Sequence, residues 1–292
     1  MSENSNSVST SSRVYVLFYS FFLIPLMVAV IGTSFFIVVK FLTLEPKTPS
    51  DLLNDIRIGS ATKRWQSAFE LSKILANDEN VHKDNLFRNQ LVSAYKNSVH
   101  DDEKVRMYLA MAMGRSGDLF YGNPLVKGLL DKNPATRLAS IKALGFLKYK
   151  PAVSELVTII QNKNRTNIEH LSAVVSLGNI GDDGIIHELL PFLDHEEVNI
   201  RWDTALSLAK LGDKTGITII ADLLTRSYYE SFPEVDYEEA NQAISVAIQV
   251  SSKYKEEIFK NKLIQLASED ENMKIRDSAI KTLKYIYGYN KA

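Results

Sequence analysis

One frame recurs along this chain and limits what it can fold into. In Ile200–Asp213, Arg201 opens a helical pattern; Ala205 follows at four residues, Leu208 at seven, Ala209 at eight, and Gly212-Asp213 at eleven and twelve. The frame reads again as Arg106, Ala110, Met113, Gly114, Gly117, Asp118, and as Arg137, Ala143, Leu144, Gly145. A further copy has His170 in the Arg slot, then Ala173, Leu177, Gly178, Gly181 and Asp182; a weaker one is Arg276, Ala279, Leu283. Trp202, Ala205, Leu206 and Ala209 share one helical face. The small residues admit a neighbouring backbone, and the Gly after the last apolar residue suits a left-handed C-cap. A shorter apolar helix precedes each copy, such as Val153, Leu156, Val157 and Ile160.

The spacing is regular. Arg106 to Arg137 is 31 residues, Arg137 to His170 is 33, and His170 to Arg201 is 31. Arg64 lies 42 residues before Arg106, Ala240 fills the slot 39 after Arg201, and Arg276 comes 36 later. Helix pairs repeating at this period stack into a solenoid. The fold class expected is therefore all-α: an α-solenoid of about seven helix pairs over residues 49–287. The Arg…Ala-Leu-Gly-x-Ile/Leu-Gly-Asp signature resembles the HEAT-repeat family in its short bacterial form. It is carried by repeats two to five; repeats one, six and seven depart from it. The resemblance implies a fold and is nearly silent on activity.

Ahead of the repeats the chain divides further. Residues 1–13 form a polar, Ser-rich tail for which disorder is expected. Val14–Val39 carries no charge and is long enough to cross a bilayer, so a single transmembrane helix is expected at 14–40. Tyr15 and Tyr19 suit one interface, Lys40 closes the other end, and Pro25 predicts a kink. The apolar run exceeds the core of a signal peptide and no Ala-x-Ala site follows. Residues 41–48, with Pro46, read as a stiff linker, and 288–292 as a C-terminal tail. Lys40, Lys47, Arg57, Lys63 and Arg64 on the solenoid side outweigh Arg13 on the other. The expected location is the cell membrane, single-pass, with a cytoplasmic solenoid.

Chemistry is sparse. The chain has no Cys, which excludes disulfides, thiolate metal sites and a Cys nucleophile. Its formal net charge of −1 gives no basic nucleic-acid footprint, and no nucleic acid is expected as a partner. No nucleotide-binding glycine loop occurs. His187-Glu188 and His195-Glu196 are similar to the His-Glu pairs of HEAT-like deoxyhypusine hydroxylase. In that family the pair follows the Arg slot, where this chain has Met107-Tyr108, Leu138-Ala139 and Trp202-Asp203. The di-iron site does not carry over. Similarity to HEAT-like phycobilin lyases extends only to the repeat. The expectation is no enzyme, no metal and no cofactor.

Binding is the remaining role. Eight basic residues between Lys127 and Arg165, against Asp131 and Glu155, mark the middle repeats. The ladder Arg106, Arg137, His170 and Arg201, with Lys142, is expected to line the inner surface and meet a protein partner. Setting the stacking of the repeats is the competing role. The insertion Ser227–Glu239, with Tyr228, Tyr229, Phe232 and Tyr237 among five acids, is a second candidate contact; its aromatics could equally fold back onto the solenoid. The leading function is a membrane-anchored scaffold or adaptor that binds a protein on its concave surface, with a membrane transport or envelope assembly as the partner class. The alternatives are a HEAT-like enzyme or cofactor-binding protein, and a lipid-surface sensor using the basic repeats three and four.

Overall fold

The computed structural model describes residues 18–43, 47–77 and 84–289. The polar tail, part of the linker, His82 and the last three residues lie outside them. Two compact units result, Met1–Thr48 and Pro49–Ala292.

Among its described residues the first unit holds one helix. It is π-helical over Tyr19–Leu23 and α-helical over Ile24–Thr43 (α1). Pro25 stands at the change: it lacks a backbone N–H and its ring crowds the carbonyl four residues back, so the preceding turn widens. Tyr19–Lys40, 22 residues, is long and apolar enough to cross a membrane. Its side chains, Phe21, Leu26, Ile31 and Phe36 among them, are exposed.

The second unit is an all-α solenoid of seven helix pairs, with no strand among the described residues. The pairs are α2 (Pro49–Ile58) with α3 (Ala61–Ile74), α4 (Asn85–Asn97) with α5 (Glu103–Arg115), and α6 (Gly122–Gly128) with α7 (Pro134–Leu147). Then come α8 (Val153–Gln161) with α9 (Asn167–Ile180), α10 (Ile186–Leu189) with α11 (Val198–Leu211), α12 (Ile217–Leu223) with α13 (Tyr237–Ser251), and α14 (Glu257–Glu269) with α15 (Met273–Tyr287).

The frame explains the stacking. The second helices of the pairs, α3, α5, α7, α9 and α11, pack on one another in succession. The contact runs through the small residue eight after the Arg. A Cβ on Gly114 would lie 2.4 Å from the Ala143 Cα, and one on Gly145 or Gly178 would lie 2.8 Å from the Cα of Ser176 or Ser207. Backbones meet there. Ser176 Oγ donates to the Ile141 carbonyl at 2.9 Å and Ser207 Oγ to the Val174 carbonyl at 3.1 Å, so the hydroxyls bury with partners. The close approach draws the second helices into an inner layer. Behind it, one hydrophobic core runs from Leu52 to Leu189, and a second from Val198 to Leu283. They meet at α11, which supplies Leu208 to the first and Ala205 and Ala209 to the second.

Candidate functional site

The inner layer carries a continuous groove. Frame positions five and nine after the Arg slot point into it: Lys142 and Phe146 on α7, Val175 and Asn179 on α9, Leu206 and Lys210 on α11. One cavity of about 310 Å³ lies between α7, α9 and α11, with Phe146, Leu171 and Val175 as apolar walls and Lys142 and Asp203 as charges. It shares Leu171 and Asp203 with a cavity of about 250 Å³ against α13. It shares Phe146 and Asn179 with a third, of about 540 Å³, at the C-terminal ends of the inner helices. Phe146 is 50% exposed, an aromatic ring that the packing of α7 does not use.

Asp203 is the unusual group. It is half-buried, and no described side chain hydrogen-bonds to it. Burial pushes its carboxyl up to about 6 from an ordinary 3.8, with Lys210 on the same helix pulling the other way. Burial likewise holds Lys210 below the usual lysine value, Asp203 opposes this, and Lys253 adds to it. Lys210 Nζ spends one donor on Asn179 Oδ1 at 3.0 Å. A carboxylate tuned towards neutrality on an apolar floor can exchange a proton or hold one for a ligand.

The raised carboxyl gives a signed expectation. The folded state holds the proton more tightly than the unfolded chain, so this contribution to stability is complete below about pH 4 and is lost as pH rises through about 6. Asp203→Asn should therefore gain over the unaltered protein as pH rises, reaching about 1–2 kcal/mol at pH 8 after allowing for solvent screening. Urea unfolding at pH 5 and pH 8 checks this. An equal difference at both would place Asp203 in water.

The frame residues lie elsewhere. Arg106 Nε binds Asp131 at 2.7 Å in the next repeat, and its guanidinium also donates to the Tyr95 carbonyl and stacks on the Tyr95 ring. Arg137 Nε binds Glu169 at 2.8 Å, again one repeat on, and its Nη1 donates to the carbonyls of Asp131 and Lys132. Arg64 makes the same reach to Asp101. Arg201 Nη1 donates to the carbonyls of His195 and Glu196, and His170 Nε2 donates to the Asn162 carbonyl at 3.0 Å. Arg64, Arg106 and Arg137 bridge neighbouring repeats, while Arg201 and His170 donate to the turn before their own helix. Lys142 alone of the expected ladder reaches the groove.

Three of the insertion aromatics fold back. Tyr228, Tyr229 and Phe232 surround Trp202 with ring centroids 5.3–5.9 Å away, and Trp202 Nε1 donates to Tyr228 Oη at 3.1 Å. Tyr229 is buried, with its hydroxyl donating to the Leu223 carbonyl. Tyr237 stays exposed beside Arg226, which holds Asp270 with two nitrogens. Among the described residues no cluster of three or more His, Asp or Glu has metal-binding geometry. His187 and His195 sit in α10 and in the turn after it.

Residues 89–173 match the family described as HEAT repeats. Over that stretch the solenoid is similar to HEAT repeats. Over 163 residues the chain is 26% identical to the phycocyanobilin lyase subunit alpha of Picosynechococcus sp., covering 51% of this chain. It spans 59% of that relative's length. The complex of CpcE and CpcF of phycocyanin lyase from Nostoc sp. PCC7120 shares the fold at TM-score 0.56 and 18% identity, over 84% of this chain and 96% of that one. Human deoxyhypusine hydroxylase aligns at 15% identity over 84% of this chain and 86% of its own, with a TM-score of 0.36. One expectation falls here. The sequence reads as no enzyme, yet a relative over 163 residues is an enzyme subunit. The repeat frame hid this because it records how helices stack and carries nothing of what the groove between them holds.

Proposed function

We propose that this chain is a HEAT-repeat component of an enzyme assembly whose inner groove holds an extended, largely apolar ligand. The observation that carries the reading is the groove itself: apolar walls from Phe146, Leu171 and Val175 converge with Asp203 and Lys142 in one cavity. A plain groove would suit a scaffold; converging titratable groups suit ligand chemistry. The similarity to a lyase subunit supports the same side and makes phycocyanobilin the first ligand to try. That relative is one subunit of a larger enzyme, so a protein partner beside the groove belongs to the proposal.

A titration tests it. Full-length chain in detergent, given phycocyanobilin, should change the ligand's absorbance saturably in the micromolar range. No change at about 100 μM, a ligand efficiency too poor for a dedicated site, removes the reading.

The proposal keeps α1 as the membrane anchor, on its length and exposed apolar surface, with the HEAT repeats on the cytoplasmic side. Protease added to intact cells should then leave residues 49–287 whole. Digestion without breaking the cells would put the repeats outside.

A further inference from the structure

Lys148 breaks the frame. Eleven residues after the Arg or His slot, neighbouring copies place Gly117, Gly181 and Gly212, with φ of 69°, 77° and 97°. The copy beginning at Arg137 places Lys148 there, at φ 51°, the one non-glycine residue with positive φ among those described. That backbone crowds a Cβ against the neighbouring carbonyl, and a glycine would adopt it freely. Such strain is kept where something else requires the side chain.

The Lys148 side chain borders the cavity of about 540 Å³ at the C-terminal ends of the inner helices. Lys148 lines it from the end of α7, Lys210 from α11, and Lys253 from just beyond α13. Asn179 and Gln249 add carboxamides, and no Asp or Glu is among the lining residues. No described acid pairs with Lys148 or Lys253. Lys148 and Lys253 are exposed and Lys210 is half-buried, so the three cations are open to a ligand of opposite sign, whose binding would relieve their mutual repulsion. Burial holds Lys210 below the usual lysine value, Asp203 on the same helix opposes this, and Lys253 adds to it.

We infer that Lys148, Lys210 and Lys253 form a binding site for an organic polyanion, a small molecule carrying two or more carboxylate or phosphate charges. The volume suits a small molecule. Lysines meet such charges as mobile point cations, and the Asn179 and Gln249 amide nitrogens can donate beside them. The site stands whether or not the apolar part of the groove takes phycocyanobilin.

Calorimetric titration of the full-length chain in neutral detergent with citrate and with pyrophosphate tests it. At least one should bind once per chain, more weakly as salt is added. Lys148→Gly and Lys253→Gln should each weaken that binding about tenfold or more. Lys148→Gly should melt no lower than the unaltered protein, because it relieves the backbone while removing the charge. Citrate alone binding assigns carboxylates, pyrophosphate alone assigns phosphates, and both binding assigns charge density; each supports the site. Binding of neither at about 10 mM, a concentration above any specific affinity of interest, overturns it. So does binding that survives both substitutions. Should Lys148→Gly lose stability, Lys253→Gln decides.

Discussion

Ala205→Arg should lower the melting temperature of the solenoid by about 10 °C or more, from a loss of about 3–5 kcal/mol. Ala205 has no exposed surface. It faces the turn before α12 so closely that a Cβ on Gly216 would lie 2.7 Å from its own Cβ. A guanidinium there must either bury without a partner or push α12 away. Both outcomes act at α11, where the two hydrophobic cores meet. A solenoid is stabilised repeat by repeat through neighbouring interfaces, so a wedge at one interface uncouples the two sides. The expected melt is earlier and broader than that of the unaltered protein. Circular dichroism on the full-length chain checks it; a melt within about 2 °C would show that Ala205 tolerates the added bulk, against the packing described here.

The solenoid was readable because its stacking is written at fixed offsets. Gly114, Gly145 and Gly178 are small for one reason, the next helix's backbone at their Cα, and that reason repeats. The pairing of the Arg residues was not readable. Asp131 and Glu169 lie 25 and 32 residues from Arg106 and Arg137, in another repeat, and the sequence does not say which acid each meets. The insertion stayed ambiguous for a similar reason: only the position of Trp202 decides that Tyr228, Tyr229 and Phe232 cover it.

The groove was legible in principle and was missed. Its residues stand five and nine after the Arg slot, at Lys142 and Phe146, Val175 and Asn179, Leu206 and Lys210. Phe146 and Val175 are apolar at positions the stacking does not need, which is the signal. The recurring Arg is the more conspicuous signal, and its side chains are held by carbonyls and acids of the turns. Asp203 has no sequence signal at all. Its neighbours Leu171 and Val246 come from other helices, and burial among them raises its carboxyl. Lys148 did carry one: it is the departure from glycine in a frame that otherwise keeps it in repeats two to five.

Val175→Arg is the sharpest probe of the groove. Val175 is half-buried on α9, on the wall of the cavity that also holds Asp203 and Lys142. An Arg there fills much of about 310 Å³ while its charged end reaches water along the groove. The repeats should hardly notice, since Val175 belongs to neither hydrophobic core and the close backbone contacts of α9 are made by its neighbours Ser176 and Gly178. The direct measurement is therefore phycocyanobilin binding by Val175→Arg beside its melting temperature. The account predicts binding weakened about 100-fold or more with the melt shifted by less than about 3 °C. Unchanged binding at an unchanged melt would mean that the inner groove is not the surface that holds the ligand.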